Sequence, residues 1–169
     1  MRGPDRCRVW LGLLVLLTQP LVARQAPLLL PRGFAIGGSL DALSLVGEGN
    51  RALPTITLRM GGFNPDGNGL EASLAIAAPG VNRDFGRVAL ADFDFTRGIA
   101  LRGPVVLLRG GGGLLIAGGG TPTVNAGLGL VVPLGSRTGV RADLSVRSLL
   151  FAFPHLNLLS LGVGLMVLP

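Results

Sequence analysis

Between residues 138 and 150 the chain reads TGVRADLSVRSLL, and its side chains alternate in kind almost without a slip. Val140, Ala142, Leu144 and Val146 share one parity, and Arg141, Asp143, Ser145 and Arg147 share the other. A period of two places successive side chains on opposite faces of a β-strand. The segment is therefore a strand with one apolar and one charged face. The same alternation recurs in TITLRMGG (55–62), LEASLAIAA (70–78), RVALADFDFT (87–96), TVNAGLGLVV (123–132) and LNLLSLGVGLMVL (156–168). FAIGGSLDALSLV (34–46) opens the series. A further strand runs from about 104 to 117, with a start as early as 99, through the Gly110–Gly113 run that blurs its parity. GEGNRALP, NPDGNG, PGVNRDFG, GGGTP and PLGSR punctuate these segments as turns or loops.

About eight strands, an even count and short turns predict an all-β chain folded as a closed, up-and-down antiparallel barrel. Closure also removes the unpaired edges that an open sheet exposes. No segment carries a helical stripe. At 169 residues a single domain suffices.

The first 23 residues stand apart. Arg2, Arg6 and Arg8 precede the apolar run VWLGLLVLL, and Ala23 follows as a small residue. This is the layout of a secretory signal peptide. The uncharged stretch from Val9 to Ala23 is shorter than the ~18 residues of a spanning helix. We therefore assign 1–23 to a signal peptide and 24–169 to the barrel domain; Ala23 suits cleavage after it, although Leu21, third from the cut, is not the small residue preferred there. Cys7 lies within the signal, so the exported chain has no thiolate chemistry or disulfide. Losing that segment lowers the formal net charge from +6 to +4. The remaining arginines are scattered among acids rather than clustered with aromatics, which argues against nucleic acid as a partner.

Parity alone does not say which face meets water. Three features place lipid against the apolar one. Charged residues are 14% of the chain, against about 25% in soluble domains, too few to coat a solvated exterior. The polar face is rich in Gly, Ser, Thr and Ala, as suits a cramped lumen, and the Leu/Val face reaches the ~9–11 residues needed to cross a bilayer at a tilt. The signal peptide supplies the export route. On this reading the polar faces turn inward and form a structural charge network: Arg59, Arg109, Arg141 and Arg147 against Asp41, Glu71, Asp92, Asp94 and Asp143.

The signal peptide, NAGLGLVVPLGSRTGVRADLSVR and the closing SLGVGLMV together resemble the small eight-stranded outer-membrane β-barrel proteins of the OmpA/OmpX-like group. The resemblance implies the outer membrane of a diderm bacterium, insertion by the barrel assembly machinery, outer-membrane lipid as surroundings and no catalytic residues. The chain departs from that group's pattern in ending LMVLP and in having no Tyr; its one Trp, Trp10, lies in the signal. Phe34, Phe63, Phe85, Phe95, Phe151 and Phe153 fall near strand ends, as a sparse phenylalanine girdle would.

Other chemistries find little support. His155 is the only histidine and sits in a loop, with no second histidine or cysteine beside it; an envelope lipid hydrolase using it with Ser160 would need both on one face, and five residues apart they are not. Asp92 and Asp94 share a strand face and could serve acid–base work or calcium, but pairing to arginines across the lumen is the simpler reading. The glycine runs lack the lysine and following helix of a phosphate loop. The expectation is a non-enzymatic outer-membrane barrel with a packed lumen, no cofactor or metal, and a structural, envelope or interaction role; its specific partner is beyond the sequence. The alternative is a secreted or periplasmic lipocalin-like barrel whose Leu/Val faces line a cavity for an apolar ligand.

Overall fold

A computed structural model describes residues 33–46, 52–78, 88–151 and 157–167. They form eight strands: β1 (Gly33–Leu45), β2 (Ala52–Phe63), β3 (Asn68–Ala77), β4 (Val88–Ala100), β5 (Val105–Ala117), β6 (Gly120–Pro133), β7 (Thr138–Leu149) and β8 (Asn157–Val167). Each pairs antiparallel with its neighbour in sequence, and β8 pairs with β1 to close the barrel. The proposed signal peptide, 1–23, and His155 lie outside the described residues.

Two turn readings are corrected. Ala52–Pro54 belongs to β2, where Pro54 pairs with Ala42, and Gly120–Pro122 belongs to β6, where Pro122 pairs with Leu114. Turn-forming residues carry strand here because the ladder runs on at the barrel's edge. Proline can close such a strand provided its missing N–H is not needed.

The chain reverses tightly at the end that holds both Gly33 and Val167. Between β2 and β3, Asn64 Oδ1 accepts from the N–H groups of Asp66 (3.0 Å) and Asn68 (2.9 Å). Gly67 completes that turn at φ +78°, a conformation a Cβ would disfavour. At the opposite end the connections are 46–51, 78–87, 118–119 and 150–156.

The strand faces divide as parity requires. Leu40, Leu58, Met60, Phe93, Phe95, Leu161, Val163 and Leu165 all point outward and are exposed, Leu40 to 71%. A lipocalin-like reading needs these faces inside; they are outside. Outward polar side chains occur only at strand ends. Asn68, Arg97 and Thr138 form one rim near the termini, and Ser44, Ser148 and Asn157 form the other. In the second rim Ser148 Oγ donates to Asn157 Oδ1 at 2.6 Å. The phenylalanine girdle does not hold as drawn: Phe63 turns into the lumen at 6% exposure, while Phe95 faces outward from within β4. Phe63 ends its strand on the inward parity, where it fills the mouth of the lumen instead of ringing it. Phe85 and Phe153 are outside the described residues.

Candidate functional site

The interior is built in three tiers. Near the termini Ala35, Phe63, Val105, Leu107, Val131 and Met166 pack into one buried apolar cluster. At the other end Leu43, Leu53, Ala75, Leu90, Leu149 and Leu158 form a second. Between them lies a polar layer whose charged members are Asp41, Arg59, Glu71, Asp92, Asp94, Arg109, Arg141, Asp143 and Arg147, each buried to 7% exposure or less. All nine of these side chains face inward, between the two apolar clusters.

Two carboxylates organise the middle tier. Arg141 grips Glu71 bidentately, Nη1–Oε2 2.5 Å and Nη2–Oε1 2.9 Å, and its Nε donates to both oxygens of Asp143 at 3.0 and 2.9 Å. Arg109 reaches Glu71 at 3.4 Å, Asp143 at 3.3 Å and Asp94 at 3.8 Å. Arg59 lies 3.4 Å from Asp41, 3.7 Å from Asp143 and 3.9 Å from Glu71. Glu71 and Asp143 thus each touch the same three guanidinium groups. Asp41 is held further by hydroxyls: Ser39 Oγ donates to its Oδ1 at 2.8 Å, Thr57 Oγ1 donates to its Oδ2, and Arg59 Nη1 donates to Ser39 Oγ.

Arg147 and Asp92 form a separate pair, with Nη2 and Nε donating to Asp92 Oδ2 at 2.6 and 3.1 Å. The isolated charges would be costly to hold out of water. Converging guanidinium and carboxylate groups offset that cost only when their geometry is good.

This layer needs room. On β8 the place of a Cβ at Gly162 is already taken by the Asp41 carboxylate, and at Gly164 by the β1 backbone around Gly38 and Ser39. Glycine there lets β1 and β8 close against each other with the charges inside. Sequence parity identified the inward charges, but it did not anticipate the apolar end tiers. The signal was present: Leu43, Leu53, Leu90, Leu107, Leu149 and Leu158 all sit on the polar parity of their strands.

The middle tier can neutralise charge and fix register, its arginines and carboxylates being paired largely with one another. Among the described residues no group of three or more His, Cys, Asp or Glu side chains is arranged to hold a metal ion, and no helix is long and apolar enough to cross a membrane, which leaves crossing by strands open.

No protein-family model matches the sequence, and no curated protein matches it. Solved structures do resemble its fold. The chain is similar to Neisserial surface protein A, with TM-score 0.60 and 8% identity over 81% of this chain and 97% of that one. It is also similar to the N-terminal β-barrel domain of Pseudomonas aeruginosa OprF, with TM-score 0.56 and 15% identity over 78% and 96%. A third likeness is to Ail, the attachment invasion locus protein of Yersinia pestis, with TM-score 0.52 and 14% identity over 80% and 98%. The fold is that of the small eight-stranded outer-membrane barrels.

Proposed function

We propose that the protein is a non-enzymatic integral barrel of the outer membrane of a diderm bacterium, exported by its signal peptide and inserted by the barrel assembly machinery. One observation carries this reading: an unbroken apolar belt lies between two polar rims, while the strands' charges, Arg97 excepted, are turned inward. Thr138 and Ser148 mark the two rims on β7, ten residues apart. At ~3.3 Å per residue and a tilt of ~40° that is about 25 Å along the barrel axis, the height of an outer-membrane apolar band. A soluble barrel has no reason to match that dimension.

The lumen is packed and passes no solute. An eight-strand barrel has an interior about as wide as its side chains, and each end of this one carries an apolar cluster. The role is therefore structural or one of interaction, exercised through the surfaces that leave the bilayer. The four-residue connections at the termini end match periplasmic turns, and the longer ones at the other end, 46–51, 78–87 and 150–156, match external loops, 118–119 being a tight turn among them. Similarity to proteins named for the cell surface and for attachment supports an interaction role at the external end.

The test is fractionation of cells expressing the full chain, gel mobility before and after boiling, and conductance in planar bilayers. Outer-membrane recovery, a heat-dependent mobility shift and no stepwise conductance are expected. Recovery as a soluble periplasmic protein refutes the reading, and steady conductance refutes the packed lumen alone.

A further inference from the structure

Asp92 and Asp94 point into the lumen from β4 and use only one oxygen each for arginine. Asp92 Oδ2 takes both bonds from Arg147, and Asp94 Oδ2 lies 3.8 Å from Arg109. The other oxygen of each, Oδ1, is buried with no hydrogen-bond partner in the protein. The register explains where these atoms go. Asp92 pairs with Gly113, which pairs with Thr123, and Asp94 pairs with Gly111, which pairs with Asn125. A Cβ at Gly113 would collide with Asp92 Oδ1, and one at Gly111 with Asp94 Oδ1. Both free oxygens therefore lean over glycines of β5, toward β6, with no β5 side chain between.

β6 answers with a polar atom that is also unspent. Thr123 is inward, 2% exposed, and its Oγ1 has no partner, while the Asn125 side chain beside it faces Asp94. Burying unsatisfied oxygens together is costly, and a single bound cation would satisfy the two carboxylate oxygens and the hydroxyl at once. Two carboxylate oxygens and a hydroxyl form a hard-oxygen set.

Charge decides the kind of ion. Among the described residues the lumen holds five carboxylates, Asp41, Glu71, Asp92, Asp94 and Asp143, and four guanidiniums, Arg59, Arg109, Arg141 and Arg147. Arg147 answers Asp92, so the other three arginines face four carboxylates, and Asp94 is the one held at the greatest distance. One positive charge balances the interior; two would leave it positive, and an uncompensated buried charge is strongly destabilising.

We propose that the Asp92–Asp94–Thr123 niche over Gly111 and Gly113 binds one monovalent alkali cation, such as sodium, as an integral part of the folded lumen.

The experiment compares unfolding midpoints of the purified barrel in detergent micelles in sodium chloride and in choline chloride of equal ionic strength, since choline is too large for the niche. Asp94→Asn removes the excess charge and Thr123→Val removes the hydroxyl at nearly constant shape; a heat-dependent mobility shift verifies that each has closed. The wild type is expected to be more stable in sodium. Each tenfold rise in sodium above its dissociation constant raises the folded-to-unfolded ratio about tenfold. The difference should vanish in Asp94→Asn and shrink in Thr123→Val; should Asp94→Asn not fold, Thr123→Val alone decides. Equal wild-type midpoints in the two salts overturn the proposal, as does a sodium dependence that both variants retain.

Discussion

Arg141→Met is the sharpest probe of the charged tier. The arginine is 4% exposed and makes four short contacts, two to Glu71 and two to Asp143. Methionine replaces much of the aliphatic stem, so the change removes chiefly the guanidinium. Glu71 would keep only Arg109 at 3.4 Å and Arg59 at 3.9 Å, and Asp143 those same two at 3.3 and 3.7 Å. Two guanidiniums would then serve the four carboxylates around them. Removing one partner of a buried pair costs about 3–5 kcal/mol, and hydrogen bonds to charged groups at ~1.5–3 kcal/mol each are strong enough to account for it. Adding Glu71→Gln should recover part of this loss, with a coupling of about 1–3 kcal/mol between the two sites.

Intrinsic fluorescence is a poor readout, because the chain has no Tyr and its single Trp, Trp10, belongs to the proposed signal peptide. Urea unfolding followed by far-ultraviolet circular dichroism, with the gel mobility shift as a second probe, measures the change. A loss below about 1 kcal/mol for Arg141→Met, or strict additivity with Glu71→Gln, would refute the claim that these groups act as one network.

Gly162→Val should abolish the heat-dependent mobility shift, because its side chain claims the position of the Asp41 carboxylate at the closing seam. Gly62→Ala, where a Cβ meets nothing within 4 Å, should leave stability within about 0.5 kcal/mol of wild type on the same gel and melt. Leu161→Arg, outward and midway along β8, should cost about 2–4 kcal/mol when unfolding is measured in lipid vesicles; a neutral result there would mean that no bilayer surrounds the belt. Leu107→Ala, at 0% exposure in the apolar tier near the termini, should cost about 2–5 kcal/mol in the urea titration through the cavity it leaves.

Much of this arrangement can be read from the chain because a period of two is unambiguous wherever one face is charged. In β7 the parity of Arg141, Asp143 and Arg147 settles the orientation of every other residue. Glycine weakens that signal: in Gly110–Gly113 nothing marks which residues face inward, although Gly111 and Gly113 turn out to lie beneath Asp94 and Asp92. Parity is also silent about height along the barrel. That Glu71 and Arg141 meet across the lumen depends on stagger and tilt summed over the intervening strands, which no local pattern encodes. The prolines misled for a related reason: Pro54 and Pro122 look like turns unless one knows that their neighbours extend past them.

The middle tier also bears on the order in which the barrel is made. Its charges come from β1, β2, β3, β4, β5 and β7, and the central contact joins Glu71 of β3 to Arg141 of β7, 70 residues later in the chain. A nascent hairpin of β1 and β2 carries Asp41 and Arg59 but lacks Glu71 and Asp143, so half of what Arg59 will touch has yet to arrive. The growing sheet must keep its charged face wet until β7 is in place and β8 meets β1. Dehydration of the lumen and closure of the seam are then one cooperative event, and a barrel stalled before it would still present arginines and carboxylates to water along its open edge.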